Sequence, residues 1–171
     1  MYTLASDEKA STVMVYSQNN LVRGDVVTKQ NMRVNIWLRT QGVPNYIHLL
    51  KAQVLTFGGT PPKSTAYNEL FFPTEQIIGF HLAPPANETL DYDANEANRT
   101  TVDVQLMLGI FSLKCKVRIS THADFATSLE VGRAGWLSVY DAEITNPFLP
   151  QLNVQVPMLL VNPKQTGFAL I

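Results

Sequence analysis

The segment Tyr46–Gln53, Tyr-Ile-His-Leu-Leu-Lys-Ala-Gln, recurs as Trp136–Glu143, Trp-Leu-Ser-Val-Tyr-Asp-Ala-Glu. Each copy runs through an aromatic, an apolar, a small polar and another apolar residue, and places a charge directly before an alanine. Ala142 follows Ala52 by 90 positions (142 − 52). Self-similarity at a fixed period marks a supersecondary unit used more than once, so the chain is constrained to fold as two like units. The match extends beyond this stretch. At a spacing of 91, Val13, Val15, Val22 and Val26 meet Val104, Leu106, Leu113 and Val117. Pro73-Thr-Glu-Gln76 followed by Gly79-Phe80 corresponds, with one gap, to Pro163-Lys-Gln165 followed by Gly167-Phe168. Inward positions stay apolar while His48 becomes Ser138 and Lys51 becomes Asp141, as expected when packing is kept and a shared active site is not.

The units are expected to be mainly β, each with one short helix. The divisions are a polar N-terminal tail over 1–12, a first unit over 13–84, an acidic linker over 85–99 and a second unit over 100–171. β-Branched runs around Val13–Val15 and Leu21–Val27 flank Asn19-Asn20, a pair that tolerates a tight turn, and predict a hairpin. Val34, Trp37 and Leu38, preceded by Asn31 as a cap, predict a short helix between residues 32 and 40. Tyr46–Phe57 is apolar on both faces and is placed centrally in its sheet. Leu70–Phe72 and Ile77–Leu82 complete the first unit. In the second, Val102 to Ile110 alternates strictly and then changes phase to Leu113, Cys115, Val117 and Ile119, so a bend, bulge or turn is needed near Gly109–Ser112. Phe125 and Leu129 share one face of a second helix over 122–130, with Thr121 as its expected cap.

A hairpin with a glycine in its second strand, a long central strand and a proline-marked corner into a final strand resembles the Sm-like branch of the SH3-type barrels. The residues that carry this are Leu21-Val-Arg-Gly-Asp-Val26, Tyr46–Leu55 and Leu70–Phe80, with weaker counterparts at Leu113–Ile119, Trp136–Thr145 and Leu159–Phe168. The chain is similar to small bacterial proteins of uncharacterised role that carry such barrels. In classical Sm-like proteins the helix precedes the first strand; here it falls between the second and third. The resemblance implies two tandem repeated Sm-like or SH3-like β-barrels, assembly by edge-strand pairing, and RNA as a frequent ligand. It carries over no functional residue, because neither an RNA-contacting motif nor a basic pore loop is recognisable.

Charged residues make up 16% of the chain, against about 25% in typical domains. So sparse a surface charge favours burial against other copies, and a homo-oligomer, with or without a protein partner, is expected. A net charge of −1 and a pI near 6.3 supply no global attraction to polyanions. Cys115 is the one cysteine, which excludes an internal disulfide and suits a reducing compartment. With no apolar leader near residues 1–10 and no apolar run long enough to span a bilayer, a cytoplasmic protein is expected.

The one patch with chemical character is Lys114, Lys116 and Arg118, which alternate with Leu113, Cys115 and Val117 and so share the outer face of a strand. Three readings fit: a solvated face that discourages aggregation, a docking face for the acidic linker or a partner, or a phosphate-binding stripe, with nucleic acid the least favoured. Asp91-Tyr-Asp93-Ala-Asn95 imitates the start of a calcium loop, but Glu96 stands where glycine is required and Val102 where a bidentate glutamate is required. Cys115 alternates inward and reads as a buried, inert thiol. His48, His81 and His122 have no ligand spacing. Trp37, Tyr46, Phe71, Phe72, Trp136 and Tyr140 are read as core before ligand cleft. No cofactor is implied, and no acid, base and nucleophile can be assembled into an active site, so the expected role is non-enzymatic: a structural protein that self-associates through barrel edges, the alternative being an RNA-binding protein.

Overall fold

A computed structural model describes residues 2–132 and 135–171; Met1 of the expected tail and Arg133 and Ala134 of the second unit lie outside them. Strands hold 52% of the chain and helical turns 11%, so the protein is mainly β. The first five strands are β1 (Glu8–Tyr16), β2 (Asn20–Lys29), β3 (Tyr46–Thr56), β4 (Lys63–Pro73) and β5 (Gly79–Leu82). The second five are β6 (Arg99–Leu108), β7 (Phe111–Ser120), β8 (Leu137–Thr145), β9 (Asn153–Val161) and β10 (Thr166–Leu170). A 3-10 helix, Val34–Arg39, lies between β2 and β3, and an α-helix, α1 (Phe125–Val131), lies between β7 and β8.

All ten strands form one antiparallel sheet in the order β10-β6-β7-β8-β9-β5-β1-β2-β3-β4, and among the described residues no pairing closes it. Each half has the same internal order: β5-β1-β2-β3-β4 in the first, β10-β6-β7-β8-β9 in the second. The halves join where β9 pairs with β5, Gly79 opposite Val161 and Phe80 opposite Leu160.

The repeated charge-alanine pair marks a bulge in each half. Lys51 and Asp141, each directly before its alanine, have φ of 50° and 49°. The β2–β3 register shifts between Arg23 and Asp25, and the β7–β8 register shifts between Lys114 and Lys116. A bulge of this kind sets two residues against one and sharpens the twist of its strand. Ala52 and Ala142 then turn fully inward, at 0% and 1% exposure. Gly24 faces the first bulge, and a Cβ there would stand 3.2 Å from the Leu50 carbonyl oxygen and 3.3 Å from the Ala52 Cα. Close backbone approach therefore accounts for the glycine in β2.

Two cores lie on the sheet, and each takes side chains from both halves. One gathers Val26, Val34, Leu38, Ile47 and Phe80 of the first half with Tyr140, Met158 and Leu160 of the second. The other gathers Leu106, Leu113, Val139 and Leu159 of the second half with Met14, Tyr16, Leu21, Phe57 and Ile78 of the first. Phe80 and Leu160, opposite one another in the join, are both 0% exposed, and each such burial contributes about 1.5–3 kcal/mol. The two units are thus fused through their cores rather than merely touching.

Several boundaries differ from those expected of the sequence. β1 begins at Glu8, inside the segment expected to be a tail, because Glu8–Thr12 pair with β2 even though all of them but Ala10 are polar. β4 begins at Lys63 rather than Leu70, since an edge strand exposed on both faces carries no apolar alternation. Asp124, not Thr121, caps α1, its carboxylate accepting from the Thr127 N–H. Asn31 does not cap the first helix; there Glu88, 54 positions along the chain, accepts from the Val34 and Asn35 N–H groups at 3.0 Å. The phase change near Gly109 is a tight turn in which Gly109 adopts φ +60°. β3, expected to be central, is the fourth of five strands in its half and second from the edge of the whole sheet; β2 is the middle strand of that half.

Candidate functional site: two open edges and an acidic strap

The ends of the sheet are β4 and β10, and each presents one unpaired side. On β4, Phe71 is 60% exposed and Tyr67 is exposed as well. Phe71 stacks on His48 of β3 at 4.4 Å with the ring planes 7° apart, and His48 Nε2 lies 2.9 Å from the Glu69 carboxylate. Tyr2 meets the same imidazole edge-on at 5.4 Å. On β10, Leu170 is 62% exposed, and Met107, opposite Gly167 on the neighbouring β6, is exposed too. The segment Thr166–Ile171 carries no charged side chain. Unpaired backbone beside apolar side chains, with no lysine or proline on the β10 strand to blunt it, is a template for further strand pairing.

The acidic segment between β5 and β6 is a strap across the join. Asp91, its side chain 8% exposed, accepts from the Ser138 hydroxyl at 2.6 Å and the Tyr140 hydroxyl at 2.7 Å, and pairs with Arg39 at 2.5 Å. Burial alone would raise its pKa, but the Ser138 and Tyr140 hydrogen bonds and the Arg39 charge outweigh that and hold it below the usual carboxylate range. The same burial, and the Asp91 charge beside it, push the Tyr140 hydroxyl pKa upward. Thr89 accepts through its carbonyl from Arg33 and, at 3.1 Å, from the Asn35 amide. Tyr92 packs edge-on against Tyr140 at 4.8 Å.

The strap meets the basic strand. The Arg118 guanidinium lies 3.8 Å above the Tyr92 ring and 3.6 Å from the Glu96 carboxylate, and its side chain is only 11% exposed. Lys116 pairs with Asp141 of the second bulge at 2.9 Å. Lys114 is exposed and stands opposite Glu143 across the β7–β8 register. The three cations do share one face; Lys116 and Arg118 are ion-paired, and Glu143 is the register neighbour of Lys114. Matched in this way, they offer little net positive field to a phosphate chain.

Comparison with known proteins adds no further constraint on the site. No family model, curated protein or solved structure matches this chain.

The remaining candidates resolve as packing. Cys115 is buried, and burial pushes its thiol up to about 12, which keeps it protonated. His81 is 1% exposed; its Nδ1 donates to the Leu82 carbonyl at 2.6 Å and its Nε2 accepts from the Tyr16 hydroxyl at 2.9 Å. Burial pushes its pKa down to about 4, so it is neutral and satisfied. Asp91 and Asp93, the opening of the imitation calcium loop, do not converge: Asp91 is committed to the join and Asp93 accepts from the Asn95 N–H. Among the described residues no three His, Cys, Asp or Glu side chains group as a metal site, and no helix is long and apolar enough to cross a membrane. Of the six aromatics expected in the core, Phe72 and Tyr140 are buried and Trp37 and Trp136 half-buried, while Tyr46 and Phe71 are exposed beside the β4 edge. Phe71 and Leu170 are the residues that sequence patterning missed as surface features. The signal for β10 was available in its lack of charge.

Proposed function

We propose that this chain is a non-enzymatic assembly protein, made of two tandem Sm-like modules that join head to tail, and that separate copies join in the same way, β4 of one against β10 of the next. The observation that carries this reading is the β9–β5 pairing. β9 is the last strand in the order of its half and β5 the first in the order of the other, as β4 and β10 are at the two free ends. A chain that already makes this join once, and retains both of its mating edges, can repeat it between copies. Such an interface is heterologous, so it closes into a ring or runs on as a filament depending on the rotation per step. The low charge content and the exposed Phe71 and Leu170 support the same reading.

Light scattering at micromolar concentration tests it. The expected result is a mass that is a multiple of 19.0 kDa; a 19.0 kDa species at every concentration overturns it. RNA binding through Lys114, Lys116 and Arg118 is the alternative, disfavoured by the ion pairs of Lys116 with Asp141 and Arg118 with Glu96 and by Glu143 opposite Lys114. Binding of mixed RNA at low salt, weakened by salt and by Lys116→Glu, would reinstate it.

A further inference from the structure

The internal join shows what a completed edge looks like, and the two free ends of the sheet can be compared with it residue by residue. In the join, Val26, Val34, Leu38 and Ile47 are no more than 5% exposed, and Tyr140, Met158 and Leu160 of the other half complete their core. The 3-10 helix contacts both β5 and β9, so it roofs the line along which the two strands meet. At the spacings of 91 and 90, the counterparts of those four residues are Val117, Phe125, Leu129 and Leu137. They line an open cleft of about 500 Å³ beneath α1. Phe125 touches Phe168 of β10 at 5.8 Å, which places α1 against the free edge as the 3-10 helix is placed against β5.

The pairing registers identify the other half of the contact. Ile47 pairs with Phe72 as Leu137 pairs with Val161, and His48 pairs with Phe71 as Ser138 pairs with Leu160. Likewise Leu50 pairs with Glu69 as Tyr140 pairs with Met158. The counterpart of Leu160, 0% exposed in the join, is therefore Phe71, 60% exposed on the β4 edge. The counterpart of Met158 is Glu69. The cleft side is more polar as well, with Thr127 and Ser128 in its lining. At the corresponding positions of the first half, Ile36 and Trp37 stand where α1 has Thr127 and Ser128.

We infer that the cleft beneath α1 receives Phe71 of a second copy of this chain, with Phe168 opposite Phe71 as Phe80 is opposite Leu160 and with Glu69 of that copy at the place Met158 takes in the join. The inference rests on the assembly reading above and adds to it the socket, its occupant and the register. It makes the two surfaces complementary rather than alike: one end of the molecule carries the aromatic and the other the cleft.

The test uses two full-length variants, Phe71→Glu, which blocks the aromatic at an exposed position, and Leu129→Glu, which blocks the cleft. Each alone is expected as a 19.0 kDa monomer under conditions where the wild type assembles, with self-association weakened at least tenfold. Mixed in equal amounts they are expected to give a one-to-one pair that grows no further, because each supplies the surface the other lacks. Formation of that pair also shows that Leu129→Glu is folded; if that variant does not fold, Phe71→Glu alone decides. A wild type that assembles while Phe71→Glu assembles equally well overturns this inference and leaves the edge-pairing reading standing. Self-association of Leu129→Glu at wild-type strength, with Phe71→Glu monomeric, also overturns it in favour of contact between like surfaces. A wild type that is monomeric throughout overturns the assembly reading itself.

Discussion

At the scale of single residues, the clearest energetic consequence belongs to His81. In the folded chain its ring is held neutral at a pKa of about 4, while in the unfolded chain it returns to its ordinary value near 6.5. The unfolded state therefore binds more protons between these limits, and stability rises with pH across them. The contribution is fully present above pH 6.5 and is lost as the pH falls towards 4, an effect on the order of 3 kcal/mol for a fully buried ring. Urea midpoints measured from pH 7.5 to 4 should fall steeply through this window. In His81→Phe the slope should flatten, on a lower baseline because the Tyr16 hydroxyl loses its acceptor; an unchanged slope would place the acid sensitivity elsewhere. Asp91 acts in a separate and more acidic range, since its lowered pKa preserves the strap until the pH drops below ordinary carboxylate values. His81 was visible in the sequence only as a histidine near a strand end. It sits opposite Met14 in the pairing of β5 with β1 and bonds the Tyr16 hydroxyl, 65 positions away in the chain, which no local pattern reports.

At the scale of elements, the two bulges carry the repeat into three dimensions. The charge-alanine rhythm at Lys51-Ala52 and Asp141-Ala142 is legible as sequence, but its cause is conformational: a residue at positive φ, followed by a small side chain that turns into the core. A non-glycine residue in that conformation costs about 1–2 kcal/mol, partly offset by the greater chain entropy a glycine would lose on folding. Lys51→Gly should accordingly be neutral or stabilising by up to about 1 kcal/mol, although glycine inside a strand normally destabilises. A loss of more than 1 kcal/mol in chemical denaturation would show that the bulge is not retained in solution. The elements hardest to read were the edges. Lys63–Glu69 showed no period-two pattern because neither face is fully buried, and Glu8–Thr12 read as a tail because its backbone pairing with β2 leaves no apolar alternation in the sequence. The strap was legible as an acidic segment; its docking was not, since its partners Arg39, Ser138, Tyr140 and Arg118 are scattered over both halves.

At the scale of the whole molecule, the determining fact is the direction of the join. Mainly β structure was legible in the alternation; that ten strands would merge into one sheet whose two cores each draw on both halves was not, because Tyr140, Met158 and Leu160 look like ordinary residues of their own strands. A head-to-tail join between like units leaves one edge of each kind free, and β4 and β10 are those edges. Hydrogen–deuterium exchange followed across a range of protein concentrations tests this most directly. Amides in residues 63–73 and 166–170 are predicted to gain protection together as concentration rises, while β5 and β9 stay protected throughout. Protection that never changes with concentration, or that rises at one edge without the other, would contradict head-to-tail assembly.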